Sequence, residues 1–230
     1  METVLAIETS VAEASIALWS DGKWLFDAEF VSDRKHNSMI FDPLTEALTK
    51  LGGRSLSCVI VGSGPGSYSG TRIGIAAAQG IAIANSCPAA ALGSIAATPI
   101  ARSQPVTEAK TGALAIGDAR RGLYYVSPIT ASGEAAEPEL MDAEALEQRL
   151  TASPDELLFT LDDPAKLSVS DNHQQRITAT QPHARLLVDL WLQIEHARRE
   201  QLFSTPLSPC YLRAPFTSKA KRGHPLLRKG

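Results

Sequence analysis

The stretch with the most chemical content is Gly62-Ser63-Gly64-Pro65-Gly66-Ser67-Tyr68-Ser69-Gly70-Thr71-Arg72. It follows the apolar run Ser57-Cys58-Val59-Ile60-Val61 and precedes a small-residue helix expected over 71–86. Backbone N–H groups at the head of a helix attract negative charge, so a loop in this place can cradle a phosphate. It is not a Walker A loop, because Gly-Lys-Ser/Thr is missing. Nor is it a dinucleotide fingerprint, because Ser69 stands where a third glycine is needed. Two readings stay open: an anion cradle, or a tight strand-to-helix connection with packing glycines. The turn Glu8-Thr9-Ser10 behind the apolar run Val4–Ile7 sets one acid beside two hydroxyls, and Asp118 ends a second apolar run. Such groups can hold a metal-bound phosphate; a turn-forming role is the plainer alternative.

Other chemistries find little support. The histidines, His36, His173, His183, His196 and His224, form no HxxxH pair and no ligand-spaced cluster with Glu, so no metal site is expected. The serines of the glycine-rich stretch do not make a GxSxG elbow. Cys58, Cys87 and Cys210 are odd in number and without CxxC, which agrees with a reducing compartment, and Cys58 reads as a core residue. Gly70, Gly74 and Gly80 with Ala76, Ala77 and Ala78 give the 71–86 helix a very small surface. Each interior glycine costs about 1 kcal/mol relative to alanine. Close packing inside the domain, or against a partner helix, can offset that.

The elements that must position these residues begin with three strands. Val4–Ile7, Ala14–Leu18 and Trp24–Val31 read as an antiparallel set, with Asp21-Gly22 as a hairpin turn. Met39, Ile40, Leu44, Ala47, Leu48 and Leu51 recur at helical spacing, with Pro43 near the first turn and Gly52-Gly53 as the stop. A central strand at 57–61, the glycine-rich loop, a strand at 89–92 and a helix at 94–101 follow. Further on, strands at 112–116 and 123–126, a helix at 143–150, a strand at 157–161 and a long helix at 184–202 are expected, with no internal sequence repeat.

The chain has 230 residues, enough for one large or two small domains. A break is expected near 100–110, giving lobes at 1–102 and 103–212. Lys plus Arg number 22 and Asp plus Glu 25, a net charge of −3. That disfavours a wholly basic nucleic-acid binder. The charge is uneven: residues 213–230 hold six basic residues and no acid, leaving 16 basic against 25 acidic in the first 212. The tail can meet RNA phosphates or simply solubilise the chain. The longest apolar stretch, 73–84, falls short of the ~20 residues of a membrane span, and the first residues do not read as a signal peptide.

Taken together, Val4–Ser10, Ala14–Leu18, Gly64-Pro65-Gly66-Ser67-Tyr68-Ser69-Gly70-Thr71-Arg72-Ile73-Gly74 and Gln79–Ala82 resemble the bacterial TsaB (YeaZ) family. Asp118-Ala119-Arg120 and Pro209-Cys210-Tyr211-Leu212-Arg213 are similar to two further motifs of it. The resemblance implies an α/β, two-lobed fold of the actin/Hsp70/sugar-kinase (ribonuclease H-like) kind, with a second lobe that is smaller and need not be complete. It implies a non-catalytic, cytoplasmic subunit that pairs with TsaD, with TsaE joining, in threonylcarbamoyl transfer to adenosine 37 of ANN-decoding tRNAs. A homodimer is expected when the chain is alone, and tRNA is reached through the complex. Glu8, Thr9, Ser10 and Asp118 would be remnants of phosphate hairpins. Any ATP or ADP with Mg would sit at the heterodimer interface rather than tightly in the isolated chain. The family usually has Asp at the position of Glu8, and His36-Asn37-Ser38 replaces its His-Ser-Glu. The expected docking face is Met39, Ile40, Leu44 and Leu48 from one helix, with Ser67, Tyr68, Gly70, Arg72, Gly74, Ala77 and Ala78 from the next. A stand-alone ATPase or phosphotransferase on this fold, and an M22-type metallopeptidase, are the alternatives.

Overall fold

An apolar run buried along its whole length belongs in the middle of a sheet. Such a run is β1, Thr3–Glu8, in which every residue is buried. The computed structural model describes residues 2–31, 37–103, 106, 108, 111–130 and 132–212. In it β1 pairs antiparallel with β2 (Glu13–Ser20) and parallel with β4 (Cys58–Gly62). On the outside, β3 (Lys23–Val31) pairs antiparallel with β2, and β5 (Ala89–Leu92) parallel with β4. The order is β3-β2-β1-β4-β5. Asp21 and Gly22 turn the β2–β3 hairpin with φ of 44° and 83°, the left-handed pair that the dipeptide favours.

A second sheet repeats this ladder. It is built from β6 (Ala113–Asp118), β7 (Tyr124–Pro128), β8 (Glu139–Met141), β9 (Leu157–Thr160) and β10 (Ile177–Ala179). Its order is β8-β7-β6-β9-β10, with β6, β7 and β8 antiparallel and β9 and β10 parallel to β6. The repeat lies in topology, not in sequence. Two such lobes make the actin-like fold, and the second lobe holds all five strands, its outer two being three residues each.

Helices α1 (Phe41–Lys50) and α2 (Tyr68–Asn85) cover one face of the first sheet. Leu44, Ala47, Ile75, Ala78 and Ala82 pack there on Leu5, Ile7, Val59 and Val61. Helix α3 (Ala143–Ala152) does the same for the second sheet through Leu146 and Leu150, and α4 (Asp171–Gln174) is a single turn. The chain then returns to the first lobe. Helix α5 (Ala184–Gln193) seats Leu187, Val188, Leu190 and Trp191 on the opposite face of the first sheet, against Val4, Ala6, Cys58 and Ile60. Full burial of each such side chain contributes roughly 1.5–3 kcal/mol. Between the lobes, Val11 and Ile95 meet Ala113, Ala115, Tyr125 and Phe159 in an apolar cluster.

Two expected helices differ. The 184–202 helix is broken: α5 stops at Gln193, Ile194 is extended at ψ 129°, and α6 (His196–Ser204) starts anew. Ile194 turns into the core, Arg199 Nε donates to its carbonyl at 2.9 Å, and Phe203 comes to 5.2 Å from the Trp191 ring. The 94–101 helix is one 3₁₀ turn, Ser94–Ala97. Thr98 precedes Pro99 and is extended (φ −104°, ψ 153°), as a residue before proline prefers. Among the described residues no helix is long and apolar enough to cross a membrane.

Candidate functional site

The glycine-rich loop joins β4 to α2, where the sequence places it, and its glycines fit one object. Ser67 caps α2, its Oγ accepting from Gly70 N at 3.2 Å, and Ser67 N donates to the Ser10 carbonyl at 2.6 Å. A Cβ on Gly66 would run into that carbonyl, one on Gly70 into the Thr9 carbonyl, and one on Gly74 into Thr9 Oγ1. Thr9 Oγ1 in turn donates to Gly70 O at 2.8 Å. The Thr9-Ser10 turn therefore fills the space that an anion cradle would leave open. Of the two sequence readings, the loop follows the second: a tight connection with packing glycines.

Glu8 is fully buried. Its Oε1 accepts from Ser10 N at 2.7 Å, while Oε2 is without a partner among the described residues and lies against Gly62 and Ser94. Burial pushes the carboxyl above its usual range, and hydrogen bonds from Ser10 oppose the shift. Asp118 is occupied in its own turn, taking Arg120 N at 2.7 Å and Arg120 Nη1 at 3.1 Å. As they stand these residues do not fit a nucleotide with its metal: the acid of the first hairpin faces the interior and the Thr9 hydroxyl is spent on Gly70, while Ser10 Oγ, like Glu8 Oε2, is buried without a partner among the described residues. Among the described residues no three of His, Cys, Asp and Glu form a group that could hold a metal ion. Cys58 is a core residue on β4, its thiol pushed up to about 12 by burial.

The expected docking residues divide by burial. Ile40, Leu44, Gly70, Gly74 and Ala78 are core. They look inward because α1 and α2 lie flat on the sheet and need them for that packing, so they are removed from the face. Leu48, Ser67 and Ala77 are half-buried, and Met39, Tyr68 and Arg72 are exposed. His36, and Arg213 with the rest of the basic tail, lie outside the described residues.

Sequence reasoning named Ala76 and Gly80 among the small residues of α2 but did not separate the outward ones from the inward ones, and it missed Ile83. Ala76, Gly80 and Ile83 follow Arg72 at helical spacing; a Cβ at Gly80 would meet nothing within 4 Å, and Ile83 is 80% exposed. Phe41, at the head of α1, is 63% exposed. Projection of the helix from its Ser67 cap would have separated Gly80 from Gly74, which lie about 120° apart around the axis.

The segment 205–212 crosses to the head of α2. Leu207 packs beside the α1–α2 core, Cys210 N donates to Ser63 O at 2.8 Å, and Leu212 packs on the interlobe cluster. Tyr211 meets Arg72, whose guanidinium lies 3.9 Å from the Tyr68 ring centre. A second opening, of about 630 Å³, is lined by Glu13, Asp27, Glu29, His183, Arg185 and Asp189. Its charges answer one another: His183 Nε2 is 3.0 Å from Glu29, and Arg185 is 3.0 Å from Asp27.

The family model described as TsaD, tRNA N6-adenosine threonylcarbamoyltransferase, matches residues 30–154. The tRNA threonylcarbamoyladenosine biosynthesis protein TsaB of Escherichia coli K12 is 34% identical over 125 residues, spanning 53% of this chain and about half (52%) of that protein. The protein of the same name from Haemophilus influenzae is 25% identical over 96% of this chain and 98% of its own length. The solved structure of YeaZ from Pseudomonas aeruginosa superposes with a TM-score of 0.65 at 24% identity, covering 92% of this chain and all of that one. This likeness carries the fold. With the family model spanning more than half of the chain, the protein belongs to the threonylcarbamoyltransferase family that the model describes, on its TsaB (YeaZ) branch.

Proposed function

We propose that this chain is the non-catalytic partner subunit in threonylcarbamoyladenosine biosynthesis on tRNA, and that it docks TsaD through the outward faces of α1 and α2. The observation that carries the reading is the stripe Ala76, Gly80 and Ile83, uncovered among the described residues, with Tyr68 at one end and Phe41 on the neighbouring helix. Small residues there let a second helix come close, and the exposed apolar side chains supply a desolvated centre. The match to a TsaD family model supports a partner of related fold. Two related subunits can pair the same helices about a pseudo-two-fold axis, as two copies of one chain do in an isologous dimer. On this reading the isolated chain pairs with itself, and TsaD displaces the second copy. TsaE and tRNA engage the assembled complex, and any nucleotide belongs to that complex. The inward Glu8 carboxylate weighs against a stand-alone ATPase. Nothing in the site favours peptidase chemistry.

The test is a strain lacking the gene, complemented with wild type or with Ile83→Glu. Threonylcarbamoyladenosine is measured by mass spectrometry of tRNA nucleosides, and capture of TsaD is measured on the same proteins. Ile83→Glu should lose TsaD and the modified nucleoside while its melting temperature is kept, because the side chain touches solvent. Unchanged capture would remove α2 from the interface, and a full level of the nucleoside in the uncomplemented strain would remove the function.

A further inference from the structure

The Arg72 guanidinium is fixed in position, yet its charge is unanswered. It stacks on Tyr68 at 3.9 Å with Tyr211 at 5.6 Å, and Nε and Nη2 both donate to the Tyr211 hydroxyl, at 3.1 and 2.6 Å. Among the described residues no carboxylate lies within ion-pair distance of it. The two rings stand 6.5 Å apart at 45°, so the cation sits in an aromatic fork at the first turn of α2. Side-chain freedom there is already restricted before any partner arrives, which lowers the entropy that binding must still remove. Tyrosine and arginine are also the residue types that dominate interface energetics.

A planar guanidinium takes a carboxylate or a phosphate equally well. The surroundings favour the carboxylate. Within α2 and the 205–212 segment Arg72 is the one Lys or Arg, and the cations of 213–230 lie outside the described residues, so the choice rests on the face that Arg72 belongs to. The same helix face continues from Arg72 into Ala76, Gly80 and Ile83, an apolar protein-type surface with one charged anchor at its end.

We propose that Tyr68, Arg72 and Tyr211 form an anchor for an Asp or Glu carboxylate of the partner subunit, with Tyr211 the positioning residue delivered by the C-terminal segment. The inference rests on the docking reading above and adds to it the charge of the partner residue and a contribution from the far end of the chain. Full-length variants are titrated with TsaD at about 50 and about 300 mM salt. Arg72→Gln should weaken binding on the order of tenfold at low salt, with the difference shrinking at high salt. Arg72→Lys should not restore affinity, because an ammonium lacks the planar fork. Tyr211→Phe keeps the ring and removes the acceptor, so it should fall between wild type and Arg72→Gln with an unchanged melting temperature. Wild-type affinity in Arg72→Gln while Ile83→Glu has lost binding overturns the anchor and leaves the docking reading standing. Wild-type affinity in both overturns both. An Arg72→Gln protein that keeps TsaD but loses affinity of the complex for tRNA replaces the carboxylate with a phosphate and also overturns the proposal.

Discussion

Glu8 is an acid held wholly inside the first lobe. Its carboxyl reaches past the turn to Ser10 N and stays inside, with Oε2 against Gly62 and Ser94. A buried carboxylate is costly unless its oxygens are satisfied, and one of these has no partner among the described residues. Burial raises the carboxyl pKa in the folded protein. The folded state therefore keeps the proton to higher pH than the unfolded chain, whose carboxyl titrates near pH 4.3. Stability from this residue is complete below that pH and is lost as pH rises through the folded value. Glu8→Gln keeps the acceptor for Ser10 N and cannot ionise. It should unfold at higher denaturant than wild type at pH 7.5, by about 1–3 kcal/mol, and match it near pH 4. Equal differences at the two pH values in urea titrations would mean that ionisation of Glu8 is not the cause.

At the scale of the element, α2 has two glycine faces with opposite duties. Gly70 and Gly74 let the helix approach the Thr9 turn, while Gly80 faces open space. Gly80→Ala should stabilise the protein by about 1 kcal/mol, the helix-propensity gain alone. Gly74→Ala should destabilise it by about 1–3 kcal/mol, because its Cβ meets Thr9 Oγ1. Urea unfolding of the two variants gives opposite signs if this geometry is right and the same sign if it is not. A Trp at Gly74 would thus break the fold before it reported on any interface. That the sequence reading left these faces unseparated has a physical origin. Helix face is read from contrast between apolar and polar positions, and Gly74, Ala76, Ala77, Ala78 and Gly80 offer none. Where contrast was present the sequence was legible: the Asp21-Gly22 hairpin, the strand before the glycine-rich loop, and the Leu44 and Ala47 face of α1 all lie as expected. The break at Ile194 left no signal, since no Gly or Pro marks it; the bend brings Phe203 onto Trp191.

Over the whole molecule, the end of the chain ties the two lobes and α2 together. Helices α5 and α6 leave the second sheet and cover the first, and 205–212 then crosses the glycine-rich loop to the interlobe cluster. The basic stretch from Arg213 onward therefore departs from a point beside the head of α2, close to the Tyr68–Arg72–Tyr211 stack. Its six positive charges stand against a net −9 on the preceding 212 residues, so the two parts of the chain should have separable roles. Truncation after Leu212 removes all six of these charges, together with Phe216, Leu226 and Leu227. It should leave melting temperature and TsaD capture unchanged and reduce the salt dependence of tRNA binding by the assembled complex, since every phosphate left without its cation lowers that slope by about one. Truncation after Ser204 removes Leu207, Tyr211 and Leu212 as well. It should cost about 2 kcal/mol of stability from their partial burial, and TsaD affinity with it. Thermal melts, TsaD capture and tRNA titrations at two salt concentrations on both truncations separate the contributions. A tRNA salt slope that is the same with and without 213–230 would assign the charge split to solubility, and a Ser204 truncation as stable as the full chain would mean that the terminal segment rests on the body without holding it.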